Sequence, residues 1–187
     1  MARVWLIRHA ASTAAPGVAI GATDPPLSSA GRLQAQHVAE RLADRPLVAV
    51  WSSDSRRAAE TAVAVATPHR LPVRLAPGLR EIDFGAWEGR PLAELWTEDP
   101  ASARDWERDI RQTPQGFGEG VDDLERRVRS FWMESHATRA GGEVAIVGHR
   151  GSLAALRSLL TGVSFASCFA ARFDFGELVS VEVTADC

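Results

Sequence analysis

The sequence predicts an α/β fold: a three-layer α/β/α sandwich with a mainly parallel central sheet and a C-terminal edge hairpin. Three observations lead there: near-continuous apolar runs rich in β-formers, helix-spaced apolar stripes between them, and strict alternation near the C-terminus. The first run, Arg3 to Arg8, is long enough for one buried strand. Ala35, Val38, Ala39 and Leu42 follow at i, i+3, i+4 and i+7, behind Ser28 or Ser29 as a helix cap. Leu47 to Ser52 is a second strand, and Ala58, Thr61, Ala62 and Val65 repeat the helical spacing after Asp54. Pro72 to Leu75 is a shorter strand candidate. Pro91 and Pro100 are each expected at the first position of a short helix, the latter capped by Asp99. Val121, Leu124, Val128, Phe131 and Ser135 form a longer helical stripe before a third strand, Glu143 to Gly148. In the tail, Phe169, Ala171 and Phe173 alternate, Gly176 turns, and Val179, Val181 and Val183 alternate again, as a terminal hairpin would. Strands alternating with helices imply a sheet covered on both faces, with ligands in the crevice beyond the strands' carboxyl ends.

Composition narrows the function classes. A chain of 187 residues fits one domain, 1–187, and 45% hydrophobic with 24% charged residues is ordinary for a globular protein. With 21 basic and 24 acidic side chains, the net charge of −3 argues against nucleic acid or an anionic membrane as partner. The apolar run Val4 to Ile7 is too short for a signal-peptide core or a membrane span, so a cytoplasmic location is expected. Cys168 and Cys187 make neither a ligand spacing nor a disulfide framework. There is no lysine, asparagine or tyrosine, and all 21 cations are arginines. A Walker A loop and a Schiff-base enzyme both need lysine and are excluded. Any anion this chain grips, it grips with arginine, histidine and backbone N–H groups.

Three apolar strands stop at charged residues: the first at Arg8-His9, the second at Ser52-Ser53-Asp54 before Arg56-Arg57, the third at Gly148-His149-Arg150. Any one of these could be a solvated strand cap. In a parallel sheet, however, the three ends lie side by side, so two histidines and several arginines converge. A bound dianion such as phosphate relieves their mutual repulsion, and helix N-termini following each strand add N–H donors.

These segments carry a resemblance. LIRHAAST (6–13) is similar to the Arg-His-Gly signature of the histidine phosphatase superfamily, also called phosphoglycerate mutase-like. SSDSRRAAETA (52–62), REIDFGAWEG (80–89) and VAIVGHRGS (144–152) resemble its second, acid-bearing and second-histidine motifs, and GATDPPL (21–27) and GFGEG (116–120) resemble lesser ones, in family order. The resemblance implies a metal-independent phosphomonoesterase working through a phosphohistidine, without metal or cofactor. His9 is then similar to the nucleophile, Arg8 and Arg57 to pocket cations, Glu81 to the proton donor and His149 to the second pocket histidine. Arg57 fits the family pattern better than Arg56. Ser12, Thr23 and Arg150 are carried over as further substrate contacts. A small helical cap is expected around 90–120, with Trp96 and Trp106 where the family places its substrate cap. The substrate implied is a small phosphorylated metabolite, and the arrangement admits a homodimer.

The chemistry is coherent without the name. Neutral His9 would attack phosphorus, Arg8, Arg57 and His149 would neutralise the equatorial oxygens, and Glu81 would protonate the leaving alkoxide. Ala10 replaces the usual glycine, so either the backbone there avoids positive φ or the loop is altered. Ser12 replaces a common threonine, Ala15 a phosphate-contacting asparagine, and Gly120 a usual serine. Ala15 with Pro16-Gly17, and the loop ending in GATDPPL, look most like the α-ribazole phosphatase branch, which makes α-ribazole 5′-phosphate the leading specific substrate. A phosphoglycerate mutase and a non-catalytic phosphate-binding regulator on the same fold are the rivals. Binding alone, however, does not require a proton donor.

Other features are weaker. Gly116, Gly118 and Gly120 mimic part of a dinucleotide fingerprint but follow no strand and read as loop. His37, His69 and His136 read as surface. Trp51, Trp87, Trp96, Trp106 and Trp132 are core or the wall of a pocket for a ring-bearing substrate. Glu119 is either a helix-start anion near the phosphate site or a surface loop residue. No Asp/Glu/His/Cys cluster has metal-ligand spacing, so hydrolysis of an aryl phosphate should survive excess EDTA. Loss of activity in EDTA, restored by a divalent metal, would exclude the metal-free mechanism.

Overall fold

The computed structural model describes residues 2–114, 116–137 and 141–183. Its sheet has the order β3-β2-β4-β1-β5. The strands are β1 (Ala2–Arg8), β2 (Leu47–Ser52), β3 (Val73–Leu75), β4 (Glu143–Gly148) and β5 (Leu178–Val183). The first four are mutually parallel, and β5 runs antiparallel along β1 at one edge. The helices are α1 (Ser29–Leu42), α2 (Arg56–Ala66), α3 (Leu92–Glu98), α4 (Pro100–Arg108), α5 (Val121–Ser135), α6 (Arg150–Thr161) and α7 (Phe165–Ala170).

Period-2 side chains divide each strand between two cores. Val144 and Ile146 of β4 pack with Val4 and Leu6 against α5 and α6, through Leu124, Val128, Leu153 and Leu156. Ala145 and Val147 face the other way, with Ile7 and Val50, onto Val38 and Leu42 of α1 and Ala58, Ala62 and Val65 of α2. All six residues of β4 are buried, as expected of a central parallel strand with helices on both faces. The helix starts follow local chemistry. Ser28 caps α1, its hydroxyl accepting from Gly31 N. Asp99 caps α4 through Ser102 N at 3.0 Å, with Pro100 at the first position. Pro91 falls one residue earlier than expected, as the N-cap of α3.

The terminal hairpin is corrected. Its second arm is β5 at the sheet edge, but its first arm is absent, because 165–170 form helix α7 and 171–177 are irregular. Phe165, Cys168 and Phe169 stand at i, i+3 and i+4, a helical spacing that the alternation of Phe169 with Phe173 concealed. Ser164 caps this helix by accepting from Ser167 N at 3.2 Å, and Phe165 and Cys168 are buried. Cys187 lies outside the described residues.

Candidate active site

The sheet ladder brings the three strand ends to one level. Arg8 pairs with Gly148, and Val147 with Ser52. One residue further, His9 N donates to Gly148 O at 3.0 Å and Ser53 N to Val147 O at 2.9 Å. His9 and His149 therefore leave adjacent strands together, with ring centroids 4.9 Å apart. Both are enclosed: His9 is 6% exposed and His149 0%.

The hydrogen bonds of His9 decide its chemistry. Its Nδ1 lies 2.8 Å from Ala10 O, and a carbonyl only accepts, so the proton sits on Nδ1 and Nε2 carries the free lone pair. Ala10 N donates to Thr61 Oγ1 at 3.0 Å, and that hydroxyl donates to Arg57 O at 2.8 Å, tying the histidine loop to α2. Ala10 is buried and does not have positive φ; among the described non-glycine residues only Arg70 and His136 do. His149 Nε2 meets Ser53 Oγ at 3.0 Å and Ser55 Oγ at 2.9 Å, while its buried Nδ1 has no partner.

Two arginines flank the histidines. Arg57, the second residue of α2, is 1% exposed. Its guanidinium donates to the carbonyls of Thr23 at 2.8 Å, Gly21 at 3.1 Å and Ile20 at 3.4 Å, with Asp24 Oδ1 at 3.7 Å. Arg56 points instead to solvent and pairs with Glu60. Arg8 donates to Phe173 O at 2.7 Å and lies 3.9 Å from the Phe175 ring centroid, and its buried Nε has no partner. Burial lowers the pKa of both guanidinium groups, partly offset by the Glu81 charge. Burial, reinforced by Arg57 and Arg8, brings His9 down to about 3 despite its bond to Ala10 O. Burial and the neighbouring cations hold His149 well below the usual range as well.

Glu81 stands opposite on irregular backbone. The first turn of α6 holds its carboxylate: Gly151 N lies 3.0 Å from Oε1 and 3.2 Å from Oε2, and Ile82 N donates to Oε1 at 3.0 Å. A Cβ on residue 151 would sit 2.4 Å from Oε1, so only glycine lets the helix terminus approach this acid. Asp83 is committed to its own turn, accepting from Gly85 N at 2.8 Å. Glu119 does not reach the histidines; it pairs with Arg127.

Arg8, His9, Arg57, Glu81 and His149 thus gather in one place. The side chains of Ser12, Thr23 and Arg150 make their hydrogen bonds outside that group. Ser12 Oγ accepts from Ala14 N at 3.4 Å. Thr23 Oγ1 donates to Glu88 at 2.8 Å, while its carbonyl holds Arg57. Arg150 stacks on the Phe169 ring at 4.3 Å and donates to Phe169 O at 3.0 Å. Sequence reasoning missed Thr61, Ser53, Ser55, Gly151 and Glu88 as supports. Glu88 accepts from the backbone N of Gly21, Ala22 and Thr23, ordering the loop whose carbonyls grip Arg57. Burial pushes its pKa up, but the hydrogen bonds from Thr23, Ala22 and Phe84 outweigh that and lower it. All five lie inside the quoted motifs, but nothing in their spacing reveals which group each supports.

A family model described as the histidine phosphatase superfamily (branch 1) matches residues 4–187. The adenosylcobalamin/alpha-ribazole phosphatase of Escherichia coli is 30% identical over 182 residues, 97% of this chain and 90% of that protein. The glucosyl-3-phosphoglycerate phosphatase of Mycolicibacterium vanbaalenii is 33% identical over 171 residues, 86% of this chain and 75% of that protein. Among solved structures, the alpha-ribazole phosphatase from Shigella flexneri aligns with a TM-score of 0.86 at 32% identity, covering 97% of this chain and 91% of that one. Among the described residues, no helix is long and apolar enough to cross a membrane.

The buried histidines predict acid sensitivity. In the unfolded chain each histidine takes up a proton near pH ~6.5. In the folded protein His9 stays neutral down to about 3 and His149 is likewise depressed. The unfolded state therefore binds more protons below about pH 6.5, and stability falls with pH by roughly 1 kcal/mol per unit for each histidine. Melting temperature should drop steeply between about pH 6.5 and 4.5, and His9→Gln should flatten that slope. An unchanged slope in the variant would mean that His9 is not held neutral.

Proposed function

The chain belongs to the histidine phosphatase superfamily (branch 1), and from that membership we propose a metal-independent phosphomonoesterase that acts in the cytoplasm through a phosphohistidine on His9. The observation that carries this reading is the pair of enclosed, neutral histidines, one with its Nε2 lone pair free, set between the buried Arg57 and the half-buried Arg8. Neutral imidazole is a nucleophile and buried guanidinium groups are anion receptors, so the site combines attack with charge neutralisation.

In the proposed reaction, His9 Nε2 attacks phosphorus and the bond from phosphorus to the ester oxygen breaks. The departing alkoxide takes the proton of Glu81. Water then attacks the phosphohistidine, giving its proton to the Glu81 carboxylate as the P–N bond breaks, and inorganic phosphate leaves. Arg8 and Arg57 neutralise the non-bridging oxygens. A hydroxyl of Ser53 or Ser55 donating to His149 Nε2 keeps that ring neutral, so it adds no charge that would need a partner of its own. Losing one such donor costs roughly 10²–10³ in rate.

The substrate proposed is a phosphomonoester of a neutral alcohol, with α-ribazole 5′-phosphate first. The cleft continuing from Glu81 is lined by five further carboxylates, Asp24, Asp54, Asp83, Glu119 and Asp123, against two arginines, Arg80 and Arg127. Both arginines are already paired, Arg80 with Asp54 and Arg127 with Glu119. A second negative charge on the leaving group meets repulsion there, which weighs against phosphoglycerate turnover. Helices α3 and α4 form the proposed cap, seated through Trp96 against Trp87 at 5.1 Å and Trp106 at 5.4 Å.

Glu81→Gln tests the mechanism. With a sugar phosphate, whose alkoxide is a poor leaving group, the rate should fall by ~10²–10⁴, the usual worth of general acid catalysis. With p-nitrophenyl phosphate the loss of the first step should be far smaller, because that anion needs no proton. Equal losses on both substrates would show that Glu81 is not the acid. For the substrate, kcat/KM should favour α-ribazole 5′-phosphate over 3-phosphoglycerate by at least ~10-fold, about 1.4 kcal/mol of discrimination. The reverse order would overturn the neutral-alcohol assignment.

A further inference from the structure

Glu81 lies on backbone with no helix or strand of its own, between the 3₁₀ turn Pro77–Leu79 and a second one at Gly85–Trp87. A proton donor must be held to within a fraction of an ångström, so something else has to fix this segment. Arg127, two turns into α5, does so. Its Nη1 donates to Gly78 O at 2.9 Å and Arg80 O at 2.7 Å. Its Nη2 donates to Glu81 O at 3.0 Å and Glu119 Oε2 at 2.8 Å, and its Nε to Glu119 Oε1 at 2.6 Å. These five bonds match the five N–H donors of a guanidinium, and three of them grip carbonyls of the segment bearing the acid. Glu119 closes the clasp from the other side: its Oε2 accepts from Asp83 N at 3.4 Å, and its own N donates to Asp83 O at 3.2 Å. The neighbouring Arg126 and Arg129 are exposed, so Arg127 alone among these three arginines of α5 turns inward.

We infer that the Arg127–Glu119 pair is a positioning device that sets the place of the Glu81 carboxyl against the leaving-group oxygen; this rests on Glu81 being the general acid. The carboxyl is gripped from two directions, by Gly151 N on its oxygens and by Arg127 on its backbone. Loss of the second grip lets the backbone shift while the phosphate-binding cations stay in place.

The test compares Arg127→Lys and Glu119→Gln with wild type and Glu81→Gln, on a sugar phosphate and on p-nitrophenyl phosphate, with vanadate affinity measured alongside. Lysine keeps the charge but offers at most three donors, and Glu119→Gln removes one strong acceptor with almost no change in volume. Both variants should lose ~10–100-fold in kcat on the sugar phosphate, as a displacement of about 1 Å does, and about threefold or less on p-nitrophenyl phosphate. KM and vanadate affinity should move little. Combined with Glu81→Gln, Arg127→Lys should add almost nothing on the sugar phosphate, because both changes remove the same proton transfer. If Arg127→Lys does not melt cooperatively above the assay temperature, Glu119→Gln carries the comparison. Equal losses on the two substrates, or full additivity with Glu81→Gln, would overturn the positioning role while leaving Glu81 as the acid. Were Glu81→Gln itself silent on both substrates, the general-acid reading would fall, and the positioning role with it.

Discussion

The parallel register of β1, β4 and β2 is the constraint on which the site depends, because it sets where each chain leaves the sheet. Arg8 opposite Gly148 and Val147 opposite Ser52 put His9, His149 and Ser53 at one level, and the bonds from His9 N to Gly148 O and from Ser53 N to Val147 O carry the ladder one residue into the site. A one-residue slip would turn the strand's side chains to the opposite face, sending Ile7 and Leu6 into the wrong cores and parting the two imidazoles. Packing on both faces of the sheet therefore holds the catalytic geometry.

Placing two arginines and two histidines together is costly, and the structure handles the two residue types differently. The histidines are kept neutral by burial and by the adjacent guanidinium groups. The arginines remain cations, and their hydrogen bonds go to carbonyls: Thr23, Gly21 and Ile20 for Arg57, Phe173 for Arg8. A carbonyl satisfies a donor without cancelling its charge, so the field remains available to an anion. Arg127, which grips the segment bearing Glu81, is instead neutralised by the Glu119 carboxylate. Arg8 and Arg57 are thus hydrogen-bonded to dipoles, with Asp24 3.7 Å from Arg57, whereas Arg127 is hydrogen-bonded directly to an acid.

The proposed proton donor poses a separate problem, since a carboxylate beside these cations must be located without being consumed by them. The N-terminal turn of α6 holds Glu81 through Gly151 N–H, a neutral donor. Any side chain at 151 would displace the carboxylate. His149 is the N-cap of the same helix, so the second histidine and Glu81 are aligned by one rigid element.

Much of this was legible along the chain. Strands followed from near-continuous apolar runs and helices from a period of 3.6 residues, and the strand ends named His9, His149 and the Arg56-Arg57 pair, because these signals depend on neighbours in sequence. The first arm of the expected hairpin failed on the same ground: Phe169 belongs to an alternating pattern and a helical one at once, and the burial of Phe165 and Cys168 decided for the helix. Which nitrogen of His9 is free and what holds Glu81 were decided only by the tertiary structure. Arg127 reaches Gly78 O across 49 positions and Gly151 reaches Glu81 across 70. The sequence by itself determined which chemical groups would arrive at the crevice. Their protonation, partners and aim depend on carbonyls and amides contributed by distant segments, which no local pattern encodes.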